Sequence, residues 1–211
     1  MARISLDPPR GLVLRVGEWY SRRRYGRVLD PGKALGHHRK VLTGYVRFER
    51  SVAGWNALDP ALKHLAVMAS AARIGCSWCL DFGHWEAQEL GLPMEKVRHV
   101  PVWREHRDLF TDLEAKVMEY AEAMTATEPE VTDGMARELI GRLGEEAFVE
   151  LTAMVAVENL RSRINSAFGL VGQGFSDRCE VPPLPSARPG AQSASARSGA
   201  QSGPGVTKPL S

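Results

Sequence analysis

Apolar residues in this chain recur three and four apart in almost every segment before residue 184, and that period admits helices and little else. Leu35, Val41, Leu42, Tyr45, Val46 and Phe48 follow it over residues 34–53. Asp59-Pro60 marks the next start, since Asp caps and Pro suits the first helical position. Leu62, Leu65, Ala66, Val67, Ala69 and Ala72 continue that helix to Gly75, a natural stop. Further helices are predicted from about Ser77 to Leu90, ended by Gly91 and Pro93, from Asp112 to Thr125, from Thr132 to Leu143, and from Glu145 to Phe168. No stretch alternates with the period of two between hairpin signals, so a sheet is not expected. The reading is an all-α, compact, multi-helix fold.

The chain divides into three stretches. Residues 1–32 form a basic N-terminal segment, partly helical, and residues 33–183 form the helical domain. Residues 184–211 are rich in Ser, Ala, Gly, Pro and Gln, cannot bury enough surface to offset ordering entropy, and read as a disordered tail. Hydrophobic residues make up 44% of the 211, enough for one sizeable core or two small ones. No apolar run approaches the roughly 20 residues of a membrane span, and the first residues lack the apolar centre of a secretory signal. A cytoplasmic location and no membrane partner are expected. Net charge is +2, from 27 basic and 25 acidic residues, too balanced to suggest a nucleic-acid partner. Arg22, Arg23, Arg24 and Arg27 read as a solvated helix face.

Three cysteines, Cys76, Cys79 and Cys179, are too few and too odd in number for a structural disulfide framework. The close pair is left for redox chemistry or metal. Cys76-Ser77-Trp78-Cys79 stands at a helix start, where a separation of three residues brings the two side chains to within roughly 60° around the axis. The first turn also presents unpaired N–H groups and the positive end of the helix dipole, which favour thiolate over thiol. Such a thiolate attacks a peroxide oxygen and becomes a sulfenic acid. The neighbouring thiol condenses with it to a disulfide, and an external dithiol resets the pair. His64 and His84 are the candidate proton acceptors, with His84 about 80° from Cys76 and about 140° from Cys79 on an ideal helix. Trp78 and Trp85 read as packing that keeps the site dry, and Cys179 as incidental. Glu158, Arg161 and Arg163 read as helix-face or subunit ion pairs. Gly172-Gln173-Gly174 lacks the strand–turn–helix context of a phosphate loop. Neither a cofactor nor a metal is expected, although Cys76, Cys79, His64 and His84 together compose a possible zinc shell.

The stretch from Leu58-Asp59-Pro60 to His64-Leu65, then Gly75-Cys76-Ser77-Trp78-Cys79-Leu80-Asp81-Phe82-Gly83, and later Glu158-Asn159-Leu160-Arg161-Ser162-Arg163-Ile164-Asn165, resembles the carboxymuconolactone decarboxylase superfamily in its alkyl hydroperoxidase D-like branch. The resemblance covers roughly residues 33–180. It implies an alkyl hydroperoxidase D-like helical fold that assembles as a homo-oligomer, a trimer or hexamer. It also implies a peroxiredoxin-type alkyl hydroperoxide reductase acting on a small hydroperoxide with a dithiol reductant protein. By the same resemblance Cys79 attacks the peroxide and Cys76 resolves the sulfenic acid. Two positions depart from the peroxidase pattern: His64 stands where it has glutamate, twelve residues before the first cysteine, and Gly83 stands where it has histidine, four after the second. A non-catalytic redox-sensing or regulatory protein of the same fold, and a decarboxylase-type lyase, are the alternatives.

Overall fold

The computed structural model describes residues 2–176. The predicted tail at 184–211 and Cys179 lie outside the described residues. Nine α-helices and two short 3-10 turns are present among them, with no strand: α1 Leu12–Tyr25, α2 Asp30–Leu35, α3 Arg39–Val52, α4 Pro60–Ile74, α5 Ser77–Glu89, α6 Met94–His99, α7 Asp112–Thr125, α8 Asp133–Leu143 and α9 Glu145–Ala167. The expected all-α fold is what the chain adopts. The periodic run at 34–53 is carried by two helices, α2 and α3. It breaks after α2, and α3 begins anew with His38 as its cap, the His38 ring accepting from the Val41 N–H at 3.3 Å.

Helix α4 is the hub. It packs against α5, α7 and α9, which its composition allows: Leu62, Leu65, Ala66, Met68, Ala69 and Ala71 are all buried, and the alanines let neighbouring helices approach closely. Its start is fixed by Asp59, whose Oδ1 accepts from the N–H groups of Ala61 and Leu62 at 2.9 and 3.1 Å, a cap of about 1 kcal/mol. Its end is fixed by Gly75 at φ 82°, in the left-handed region that glycine adopts at little cost. The Gly75 N–H donates to Ala72 and the Cys76 N–H to Ala71. This reversal sets Cys76 directly at the N-cap of α5.

Helix α5 lies so close to α4 that a Cβ placed on Gly83 would stand 2.2 Å from Met68 Sδ. Met68 is fully buried, so its side chain has no solvent to retreat into. We therefore expect Gly83→Ala to lower stability by about 1–3 kcal/mol, the usual effect of overpacking. An unchanged urea midpoint in that variant would show that the α4–α5 contact relaxes freely.

The outer face of α5 is covered by aromatic rings. Trp78 and Phe82 stack at 5.1 Å, Phe82 and Trp85 at 5.3 Å, and Tyr25 and Phe175 meet Phe82 edge-on. Arg24 lies over Trp85 and Arg27 over Phe175, so two of the four arginines read as solvated join this cover. The segment after α9 is tied down by Asp81, which accepts from the N–H groups of Gln173 and Ser176 at 2.6 and 2.7 Å. Gln173 Oε1 in turn accepts from Trp78 Nε1 and from the Asp30 N–H. That is the role of the Gly-Gln-Gly stretch: it fastens α5 to α2.

Candidate active site around the cysteine pair

Cys76 and Cys79 form a disulfide across the first turn of α5, with Cα atoms 5.3 Å apart. Both residues are covered, at 2% and 8% exposure. The Cys76 sulfur caps the helix by accepting from the Cys79 N–H at 3.3 Å. The Cys79 sulfur has side-chain neighbours on α9. Ser162 Oγ lies 3.2 Å from it and the Asn165 amide donates to it at 3.4 Å. Both partners come from the turn of α9 that faces α5, and both are buried.

Behind Ser162 stands a buried carboxyl. Ser162 Oγ is 2.6 Å from Glu158 Oε1, one helical turn earlier. Burial pushes the Glu158 carboxyl up to about 7, against the pull of Arg161 and the Ser162 hydroxyl, with Glu86 and Glu49 adding to the rise. Burial likewise pushes Glu86 up. Arg161 is held by Glu49 of α3 through two bonds, Nε–Oε1 at 2.9 Å and Nη2–Oε2 at 2.5 Å. Its Nη1 reaches Glu158 at 3.7 Å. Glu158 and Arg161 therefore form the ion pair expected from their spacing on the helix, and Glu49 of α3 extends it into a partly buried network. Nothing in the local pattern marks Ser162 or Asn165. Their partner is 83 and 86 residues away, and only packing reveals it.

His64 on α4 and His84 on α5 are both buried. Burial, with His84 beside it, lowers His64 to about 4 in spite of the Gly83 carbonyl that supports its charged form. Burial lowers His84 as well, although its Nδ1 bonds the Leu80 carbonyl at 2.7 Å. Each ring keeps an Nε2 with no hydrogen-bond partner. The two imidazoles are neutral and sit near one another, while the Cys79 sulfur finds its side-chain partners on α9. Among the described residues no group of three or more His, Cys, Asp or Glu stands ready to hold a metal ion. None of the helices there is long and apolar enough to cross a membrane.

Uncharacterized protein YnjA of Escherichia coli (strain K12) is 32% identical over 177 residues, 81% of this chain and 92% of that protein. Among solved structures, a complex of a debrominase Bmp8 variant with 2,3,4-tribromopyrrole superposes with a TM-score of 0.71 at 16% identity, over 84% of this chain and 97% of that one. An uncharacterized peroxidase-related protein from Silicibacter sp. TM1040 superposes with a TM-score of 0.69 at 14% identity, over 80% and 89%. At these identities the two structures speak for the fold alone. The sequence model of the carboxymuconolactone decarboxylase family matches residues 39–128, a span that includes both cysteines and both buried histidines, and the chain belongs to that family.

Proposed function

We propose that the protein is a thiol-dependent peroxidase that reduces small hydroperoxides with Cys79 and Cys76 and is reset by a dithiol reductant protein. Family membership supports a peroxidase-like or a decarboxylase-type role. The observation that favours the first is the disulfide between Cys76 and Cys79 at a helix start, with the Cys79 sulfur in reach of two side-chain donors. The Cys79 thiolate attacks the terminal peroxide oxygen, the O–O bond breaks, and the departing alkoxide takes up the proton that Cys79 released on ionising and leaves as the alcohol. Cys79 is then a sulfenic acid, and Cys76 attacks its sulfur, releasing water and forming the disulfide. Two thiols of the reductant become a disulfide as the pair is reduced again. In this reading His64 and His84 stay neutral at neutral pH, because burial disfavours their charged forms, so any proton they take up is passed on at once and not held. A reducing compartment, the cytoplasm, suits a pair that must be reset. A homo-oligomer, trimer or hexamer, belongs to the same reading and is supported by α1, which leaves Leu12, Val16, Trp19 and Tyr20 exposed along one side.

The test is to reduce the protein, remove the reductant, add one equivalent of hydroperoxide and count free thiols, with the new disulfide mapped by mass. Two thiols lost per peroxide consumed, with continued turnover when a dithiol is supplied, is the expected result. No thiol loss overturns the peroxidase reading. Oxidation once without cycling favours the redox-sensing alternative, which the His64 and Gly83 departures motivate.

A further inference from the structure

We propose that Glu158, acting through the Ser162 hydroxyl, is the proton donor to Cys79 when the disulfide is reduced, and the acceptor of the same proton when Cys79 ionises. The inference deepens the thiol-redox reading above and rests on it only for the identity of the cysteine pair.

Ser162 carries one hydroxyl proton and touches two atoms, Glu158 Oε1 at 2.6 Å and Cys79 Sγ at 3.2 Å. A disulfide sulfur and a thiolate can only accept. While Cys79 is in either form, Ser162 can give its proton to sulfur only if Glu158 is the protonated partner donating to Ser162 Oγ. When Cys79 is a thiol, the chain of bonds reverses: S–H donates to Oγ, and the hydroxyl donates to an ionised Glu158. The direction of the two hydrogen bonds is thus set by whether Cys79 carries a proton. Glu158 suits the task because burial leaves it half protonated around neutral pH. The His64 and His84 imidazoles lack this capacity, being held neutral by burial.

The step balances as follows. A thiolate of the dithiol reductant attacks the Cys76 sulfur, the bond between the two sulfurs breaks, and its electron pair goes to Cys79. The Ser162 proton moves to the Cys79 sulfur while the Glu158 proton moves to Ser162 Oγ, leaving Glu158 ionised. Cys79 is the better leaving group of the two, since Ser162 and Asn165 both face it, and a stabilised thiolate leaves faster. The charged groups that face Glu158 are Arg161 on its own helix, Glu86 from α5 and Glu49 from α3, with Tyr45 of α3 also nearby.

The experiment uses the full oxidised chain and dithiothreitol as the probe, with no peroxide present, so it stands apart from the peroxidase test. The second-order rate of reduction of the Cys76–Cys79 bond is measured against pH and corrected for the thiolate fraction of the reagent. The expected corrected rate is high below pH 6 or so and falls through an apparent value around 7, as Glu158 loses its proton. Glu158→Gln keeps the size and hydrogen bonding of the side chain but has no proton to deliver. It should give a flat profile and be about tenfold slower at the acid end. Ser162→Ala should flatten the profile too, and the double variant should be no slower than the slower single one, as for groups acting in one chain. Far-ultraviolet circular dichroism verifies that each variant is folded. A flat profile in the parent, or the same break persisting in Glu158→Gln, overturns the proposal. A break retained in Ser162→Ala overturns the route through the serine. A clean Glu158-dependent break in a protein that ignores peroxide would sink the peroxidase reading and leave the proton path standing.

Discussion

Cys79→Ser will bring hydroperoxide consumption down to the uncatalysed background, whereas Cys76→Ser will allow a single equivalent to react and then stop. The asymmetry follows from what each sulfur does. Without Cys79 there is no nucleophile beside Ser162 and Asn165. Without Cys76 the sulfenic acid on Cys79 has no partner within the first turn of α5, and the covered position at 8% exposure shields it from other thiols long enough to be trapped. A sulfenic-acid-specific reagent should add one equivalent to Cys79 in the second variant and none in the first, read by mass. Full turnover in both would mean that the disulfide is incidental to any activity.

Acid will destabilise the fold through His64. The unfolded chain binds a proton on this imidazole at about 6.5, but the folded chain refuses it until about 4. Its contribution is therefore complete above pH 6.5, declines as pH falls, and is gone by about 4. A difference of that size corresponds to about 3 kcal/mol, a large share of the 5–15 kcal/mol, roughly, that holds a typical domain together. Urea unfolding at pH 7 and again at mildly acid pH measures it. His64→Gln should lose markedly less stability over that interval than the parent, with His84, lowered in the same direction, accounting for part of what remains. Equal losses in the two proteins would show that His64 is protonated as easily folded as unfolded.

The punctuation of the helices was readable from residues next to one another. Asp59-Pro60 and Gly75 bound α4 where the pattern puts them, and Cys76 falls at the N-cap of α5 because capping and the left-handed glycine are local effects. The apolar spacing of Leu35, Val41 and Leu42 does not by itself mark the break between α2 and α3, because it suits one long helix as well as two; the cap at His38 marks it. The immediate surroundings of Cys79 were also out of reach. Glu158 and Ser162 have ordinary helical spacing for an exposed pair, and only the way α9 lies across α5 turns that pair inward. Gln173 is a similar case: its hydrogen-bonded neighbours include Trp78, Asp30 and Asp81, each more than 90 residues away from it in the chain.

The tight seam between Gly83 and Met68 also limits how this chain can change. The histidine of the peroxidase pattern would have to occupy a point already filled by methionine sulfur, so Gly83→His alone meets a wall. Trimming Met68 alone leaves a hollow in the middle of the core. A paired change that enlarges position 83 and shrinks position 68 keeps the filled volume constant, so the seam favours coupled over single substitutions. Recovery of the peroxidase pattern in the laboratory would have to begin with the methionine.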